Sequence, residues 1–148
     1  MRVVIQRVNR AKVRVQEVVK GNIHKGLLIL VGIESGDSYK DSLWLANKIS
    51  NIRLFDDENG LMNKSIVDIG GEVIVVSQFT LHAKTRKGNR PSFIQAAPPD
   101  LAIKIYDKFK DDLSSAISQE VQSGEFGANM EVSLINDGPV TIIIDTKN

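Results

Sequence analysis

The residues best suited to chemistry are Ser77, Gln78, Phe79 and Thr80, which directly follow the apolar run 73–76. A buried strand that ends in polar residues commonly borders a cleft, and main-chain N–H groups there can bind an anion or an oxyanion. The two hydroxyl groups could take part in such chemistry. Hydroxyls at a strand end also commonly bond to their own backbone, and pattern alone favours that simpler interpretation.

A second notable segment is Asn136-Asp137-Gly138-Pro139-Val140-Thr141, which separates two apolar stretches. Asp-Gly between apolar runs is typical of a β-hairpin, so we predict a tight connection between a strand at 130–134 and a last strand at 140–144. Pro139 complicates this prediction, because it removes a ladder donor at the start of the returning strand. A proline after glycine can also adopt a cis peptide bond.

A third segment is the run 84–90, where Lys84, Arg86, Lys87 and Arg90 give four cations in seven residues. The whole chain has a formal net charge of only +1. Any contact with RNA must therefore come from a local patch, because the protein as a whole is nearly neutral. The run is either a phosphate-binding loop or an ordinary solvated loop, and the sequence favours neither.

Other classes of site have weaker support. The chain lacks cysteine, which excludes disulfides and thiolate catalysis, and no Asp, Glu or His cluster has a recognisable ligand spacing. We therefore expect no metal. No glycine-rich phosphate-binding loop follows a strand, so we expect no nucleotide cofactor either. The charged N-terminus does not resemble a signal peptide and no apolar run could span a bilayer, so we expect a cytoplasmic protein with no membrane partner.

Hydrophobic periodicity indicates the elements that must position these residues. Alternation predicts a strand over 3–15, on which Arg7 shares the inward parity of Val3 and Ile5. The unbroken apolar run 27–33 predicts a strand covered on both faces. Helices are predicted from Asp37 or Ser38 to about residue 50 and from Pro99 to about residue 120.

Strands therefore outnumber helices, and they do not alternate with them. This pattern predicts a single α+β domain over residues 1–148, with a largely antiparallel sheet or barrel-like roll and two main helices.

The combination of segments is more specific than any one of them. SQFTL at 77–81 and NDGPVT at 136–141 resemble the two signature motifs of the D-aminoacyl-tRNA deacylase family. The segments MRVVIQRV, RLFDDENGLMN, KGNRPSF and FGANMEVSL agree with that family in order and spacing, so the resemblance covers essentially the whole chain. One departure is His82, which stands where the family usually has Ala or Tyr and is expected at the rim of the pocket.

The resemblance implies a homodimer with two active sites at the subunit interface. Residues 77–80 of one subunit would form the pocket, and the partner's Gly138 and Pro139 would point two carbonyl oxygens into it. Those oxygens would block the side chain of an L-amino acid, whereas a D-amino acid, or a glycine mischarged on tRNA-Ala, would be accepted. Arg7 and Met130 would hold the Gly-Pro segment, and Phe126 would border the pocket near the terminal adenosine.

The implied reaction is hydrolysis of the ester at the 3′ end of aminoacyl-tRNA, with no DNA partner. Thr80 resembles a nucleophile, but no base or orienting carboxylate accompanies it in the sequence, as an activated hydroxyl requires. Substrate-assisted hydrolysis is therefore preferred, with the ribose 2′-hydroxyl helping to activate water. Main-chain N–H groups of Phe79 and Thr80 would then stabilise the oxyanion.

Two alternatives stay open. A paralogous family acts on L-alanyl-tRNA, and the same residues could also form a non-catalytic tRNA-binding dimer that uses the basic run 84–90.

Overall fold

The computed structural model describes residues 1–148. The chain forms one mixed, six-stranded sheet. The strand order is β2–β1–β3–β6–β7, and β8 pairs with β1 along nearly the whole length of β1. A separate two-stranded sheet joins β4 to β5. In chain order the elements are β1 (Arg2–Val15), β2 (Val18–Ile23), β3 (Gly26–Gly32), α1 (Tyr39–Asn51), β4 (Phe55–Asp56), β5 (Met62–Lys64), β6 (Glu72–Ser77), a 3₁₀ helix (Phe79–His82), α2 (Pro99–Ile117), β7 (Gln122–Ser123) and β8 (Glu131–Asp145).

Strand β1 organises the sheet because it pairs antiparallel with three strands, β2, β3 and β8. Its side chains alternate between buried and partly exposed over most of its length, which is the period that the sequence predicts. Arg7 is among the buried residues, at 7% exposure. The prediction that this cation points inward is therefore confirmed.

Strands β3 and β6 form a parallel pair, with Gly26 opposite Glu72 and Val31 opposite Ser77. Six of the seven residues of β3 are buried, so this strand is covered on both faces as predicted. A Cβ atom at Gly26 would lie only 1.8 Å from the Glu72 carbonyl oxygen, so only glycine allows the two backbones to approach here.

The sheet curls so that its edges approach each other. A Cβ atom at Gly21 of β2 would lie 3.0 Å from the carbonyl oxygen of Ser123 in β7, and 2.9 Å from the Ile74 side chain in β6. The curled sheet is nearly a barrel, and the chain contains two α-helices. The predicted α+β class with a barrel-like roll and two main helices is therefore confirmed. The parallel pairings of β3 with β6 and of β6 with β7 were not foreseen.

The two helices pack on one face of the sheet and complete the main core. Helix α1 begins after Ser38, whose N–H group donates to the Asp41 carboxylate at 2.9 Å and so caps the first turn. Helix α2 begins at Pro99 and buries one apolar stripe. The core side chains from this stripe are Ala102, Ile105, Tyr106, Phe109, Leu113 and Ile117.

The predicted hairpin at Asp137-Gly138 is wrong. The chain does not reverse there: residues 131–145 form the single strand β8, which runs antiparallel to β1 from Arg14↔Glu131 to Arg2↔Asp145. The pairing register shifts twice, between Gln6 and Val8 and between Val8 and Arg10. The Gly-Pro segment is thus accommodated as an irregularity within one strand, because β1 supplies a continuous partner on both sides of it.

Neither helix combines the length and the apolar character that crossing a membrane would require.

Candidate active site

A cleft of about 700 Å³ opens where the parallel strands β3 and β6 end. Two of its walls come from the start of helix α2, at Pro98 and Pro99, and from the loop that leads from Phe126 to Met130. Residues at the carboxyl ends of β3 and β6 form the third wall. Twelve of the eighteen lining residues are hydrophobic, and none is Asp, Glu, His, Lys, Arg, Cys or Tyr.

The polar segment predicted to carry chemistry lies at this cleft. Strand β6 ends at Ser77, and the Gln78 N–H group makes one more sheet bond, to the Val31 carbonyl at 2.7 Å. The backbone then turns into the 3₁₀ helix, so the N–H groups of Phe79 and Thr80 stand at its first turn and have no carbonyl of that helix to bond. Ser77, Gln78 and Phe79 line the cleft.

Thr80 lies outside the set of lining residues. Its hydroxyl accepts a hydrogen bond from the Gln78 side-chain amide at 2.5 Å. The side chain is therefore held against its neighbour in the same segment.

Aromatic rings surround the cleft. Phe79 and Phe93 meet edge to face, with their ring centroids 5.1 Å apart, and Phe79 is 56% exposed. Phe126 packs against Tyr106 at 5.5 Å. Burial raises the pKa of Tyr106 to about 12, and its hydroxyl donates to the Val75 carbonyl at 3.1 Å, so this phenol is a structural donor.

Arg7 fixes the backbone next to the second signature motif. Its Nε atom donates to the Asp137 carbonyl at 3.0 Å, and Nη1 donates to the Leu54 carbonyl at 2.7 Å. The carboxylates of Asp56 and Asp137 lie 3.4 Å from the guanidinium group. The side chain thus joins the turn before β4 to the residue that precedes Gly138.

The Gly138-Pro139 peptide bond is cis. Both residues are exposed, and neither lines the cleft of its own chain. Met130 lines the cleft instead and packs against Gly124, where a Cβ atom would come within 2.4 Å of its sulfur. Within one chain, the structure brings Phe126 and Met130 to residues 77–79 and leaves Gly138 and Pro139 apart from them.

The basic run forms an exposed loop that leaves the 3₁₀ helix and returns to the cleft at Phe93. Main-chain hydrogen bonds between Lys84 and Ser92, at 2.8 and 3.0 Å, close the loop at its base. The cations at its tip are exposed to solvent and include Arg86, Lys87 and Arg90.

Sequence reasoning missed one cluster, which the fold assembles behind the 3₁₀ helix. Glu34, Asp37 and His82 place their ligand atoms within 4.8 Å of one another. His82 is only 2% exposed, so the expectation that it sits at the pocket rim is wrong. The ring packs inward, toward Gly32 of β3, where a Cβ atom would lie 3.0 Å from the imidazole. Residues 34 and 82 are too far apart in sequence for any ligand spacing to reveal the cluster.

Sequence reasoning also missed most of the apolar wall of the cleft, including Phe93, Pro98 and Ala102. Pro98 and Pro99 marked only a helix start, and nothing in their pattern indicated that this start faces a site.

Two solved structures share the whole architecture. One, described as "c-Myc DNA Unwinding Element Binding Protein", is 39% identical, with a TM-score of 0.91 and 98% of each chain covered. The other, "Structural Analysis of a probable eukaryotic D-amino acid tRNA deacylase", is 18% identical, with a TM-score of 0.84 and 97% of each chain covered, and it bears on the fold alone. Fold and cleft thus define the class as that of α+β proteins with a nearly closed mixed sheet, two helices and an apolar cleft at the strand ends.

Sequence comparison assigns the family. The model of the family described as D-Tyr-tRNA(Tyr) deacylase matches residues 4–145. A D-aminoacyl-tRNA deacylase of Bacteroides fragilis is 60% identical over 148 residues, covering 100% of this chain and 99% of its own. The chain therefore belongs to the D-Tyr-tRNA(Tyr) deacylase family. The predicted resemblance is confirmed, and with it the assignment of the chain as a hydrolase of the deacylase class.

Proposed function

We propose that the protein hydrolyses the ester bond of D-aminoacyl-tRNA, releasing the D-amino acid and free tRNA. The observation that carries this proposal is the cleft wall, in which no lining residue has an ionisable side chain. A site of this kind suits an activated ester, which reacts with less help than an amide. With charged tRNA as its substrate, the protein is expected to act in the cytoplasm.

The proposed chemistry uses the backbone and the substrate. The main-chain N–H groups of Phe79 and Thr80 would donate to the ester carbonyl oxygen as it becomes an oxyanion. The 2′-hydroxyl of the terminal ribose would orient and activate the attacking water. The water oxygen bonds to the carbonyl carbon, the bond to the ribose 3′-oxygen breaks, and that oxygen takes up a proton.

Two observations argue against Thr80 as the nucleophile. Its hydroxyl is already engaged, because it accepts a hydrogen bond from the Gln78 side-chain amide at 2.5 Å. A nucleophilic hydroxyl also requires a base within hydrogen-bonding distance, and the cleft wall supplies none.

We also propose a homodimer formed through β8. This strand lies along β1 at an edge, and none of its fifteen residues is fully buried. Ile135 and Ile143 on this strand are 44% and 68% exposed. A long exposed edge strand with apolar side chains is a favourable surface for pairing with a second chain.

The dimer would complete the site. Gly138 and Pro139 are exposed and lie outside their own cleft, so they are free to enter the cleft of a second copy. Their carbonyl oxygens would then exclude the side chain of an L-amino acid. Selection would rest on repelling the wrong enantiomer. Glycine has no side chain to be repelled, so glycyl esters, including glycine mischarged on tRNA-Ala, would be hydrolysed as well. Arg7 and, across the interface, Met130 would hold this segment in place.

The basic loop would guide the tRNA. Lys84, Arg86, Lys87 and Arg90 lie between the 3₁₀ helix and Phe93 in the chain, and both of those elements border the cleft. Phosphates next to the 3′ end of the tRNA are the expected partners of these cations.

The experiment compares D-tyrosyl-tRNA with L-tyrosyl-tRNA, using purified protein and separating free from esterified tyrosine. Release of D-tyrosine with the L-ester spared is the expected result. Charged tRNA that binds without being hydrolysed would instead identify a non-catalytic tRNA-binding protein. Faster hydrolysis of L-alanyl-tRNA than of D-alanyl-tRNA would place the chain with the L-alanine-specific paralogs.

A further inference from the structure

The cluster of Glu34, Asp37 and His82 lies outside the cleft and has no part in the proposed reaction. Glu34 and Asp37 belong to the turn between β3 and α1, and His82 ends the 3₁₀ helix. The Asp37 side chain is fully buried and the Glu34 side chain is 16% exposed, so two carboxylates are largely removed from water here. Burial of paired carboxylates requires compensating cations or hydrogen-bond donors.

His82 gives the cluster a second, independent feature. Its ring is 2% exposed, and Nε2 is a buried polar atom with no hydrogen-bond partner. A buried polar atom without a partner destabilises the folded state. A ring nitrogen of His82 lies within 4.8 Å of an oxygen of each carboxylate, and imidazole and carboxylate together are a ligand set that metal ions accept.

A side-chain cation stands in the cluster. The Lys147 ammonium lies 3.4 Å from Glu34 Oε1 and 3.3 Å from Asp37 Oδ1. The Met1 ammonium also donates to Asp37, at 2.7 Å. The position between the carboxylates therefore attracts positive charge.

Lys147 is a displaceable occupant. Its side chain is 42% exposed. Rotation of that side chain into solvent would remove its contacts with Glu34 and Asp37, while the Met1 ammonium would remain on Asp37. An ammonium group offers these side chains only hydrogen bonds, whereas a metal ion can bond directly to an imidazole nitrogen and to carboxylate oxygens.

We propose that Glu34, Asp37 and His82 form a divalent transition-metal site, with Zn²⁺ as the matching ion, in competition with Lys147. One imidazole and two carboxylates suit zinc better than magnesium or calcium, which take oxygen ligands alone. Zinc bonds of about 2.0–2.2 Å place tetrahedral ligand atoms roughly 3.4 Å apart. The ligand atoms, which now lie within 4.8 Å of one another, would move closer together on binding, and water would fill the fourth position.

Binding would connect the end of the 3₁₀ helix to the turn before α1. That helix carries the N–H groups of Phe79 and Thr80, so the ion would brace the segment behind the cleft without entering it. The proposal does not depend on the deacylase reaction, because its direct readout is metal binding.

The test is calorimetric titration of the full chain with Zn²⁺, after treatment with a chelator and buffer exchange. We expect one Zn²⁺ per chain. His82→Ala and Glu34→Gln should each weaken binding by at least about tenfold, since each removes a ligand. Lys147→Ala should bind more tightly than the wild-type chain, because the competing ammonium is gone.

His24→Ala is the matched control. His24 is the other histidine of the chain and also contacts a carboxylate, with Nδ1 3.2 Å from Glu72, but it is exposed. Loss of binding in this variant, unchanged binding in either ligand variant, or no saturable binding by the wild-type chain would each overturn the proposal. Glu34→Gln and Lys147→Ala alter partly exposed side chains, so the test stands even if His82→Ala unfolds.

Discussion

Thr80 illustrates how position decides the role of a side chain. It follows the end of a buried strand, where a reactive hydroxyl is easily imagined, yet its oxygen accepts a hydrogen bond from Gln78 and faces no base. The part assigned to it in the proposed reaction is its main-chain N–H group. Changing its side chain should therefore leave the proposed oxyanion site intact.

We expect Thr80→Ala to retain kcat/KM on D-tyrosyl-tRNA within about tenfold of the wild-type value, because removing a nucleophile typically costs far more. Single-turnover hydrolysis is the measurement, and Thr80→Ser is the matched variant that keeps the hydroxyl. A loss of roughly 10³-fold or more in Thr80→Ala, restored in Thr80→Ser, would establish a nucleophilic role.

Arg7 is the second residue whose contacts lead to a prediction. Its bonds to the Leu54 and Asp137 carbonyls satisfy two backbone acceptors, and the latter directly precedes Gly138. Lysine keeps the charge but cannot bond to both carbonyls in this geometry.

Arg7→Lys should lower the ratio of D- to L-tyrosyl-tRNA hydrolysis, because the Gly138 segment is less firmly held. It should also reduce the free energy of unfolding by about 1–3 kcal/mol. Hydrolysis of both esters and urea denaturation test this, with exposed Arg10→Lys as the control. An unchanged D/L ratio in a destabilised Arg7→Lys protein would contradict the proposed role.

At the scale of elements, local signals in the sequence were sufficient wherever one strand or helix has one buried face. The alternation of β1 gave both the strand and the inward direction of Arg7, and Ser38 correctly marked the start of α1. The extent of β8 could not be predicted, because Asp-Gly encodes a turn only when no neighbouring strand continues past it.

Only part of the cleft could be predicted from the sequence, because the rest of its wall is brought together by tertiary packing. Residues 77–80 were recognisable because the sequence changes abruptly from apolar to polar at the end of β6. Phe93 and Ala102 have no such local signal, since only the tertiary packing of α2 against the strand ends brings them to the site. The buried position of His82 could not be predicted either, because it arises where the 3₁₀ helix turns the ring toward Gly32.

The basic loop is the element whose proposed role in tRNA binding can be tested separately from folding. Its cations at 87 and 90 are exposed and make no ion pair, so their substitution should not affect folding. Phosphate contacts supply binding energy that is the same in the ground state and the transition state.

Lys87→Ala/Arg90→Ala should therefore raise KM for D-tyrosyl-tRNA with little change in kcat, and should weaken the dependence of KM on salt. Lys48→Ala, which removes an exposed cation from α1, is the control and should behave like the wild type. Equal KM values for the double variant and the wild type would leave this loop without a role in tRNA binding.

The whole molecule is proposed to discriminate between D- and L-esters only as a pair. The cleft and the Gly138-Pro139 segment are separated within one chain, and β8 presents exposed isoleucines beside that segment. A charge on this edge would have to be desolvated if two copies met there.

Ile135→Asp/Ile143→Asp should yield monomers and lose discrimination between D- and L-tyrosyl-tRNA. Sedimentation gives the oligomeric state, and ester hydrolysis gives the selectivity. Leu61→Asp changes a side chain that is 59% exposed in the turn before β5 and serves as the control. A wild-type monomer, or a monomeric variant with full D/L selectivity, would refute the cross-subunit arrangement.

The central claim is that a cleft without ionisable side chains relies on the substrate's own 2′-hydroxyl. The most direct measurement compares single-turnover hydrolysis of D-tyrosyl-tRNA with that of the same ester on tRNA ending in 2′-deoxyadenosine. Loss of proton-transfer assistance should slow the deoxy substrate by about 10²–10⁴-fold, at similar binding affinity. Equal rates on the two substrates would contradict the account and require an activating group from the protein.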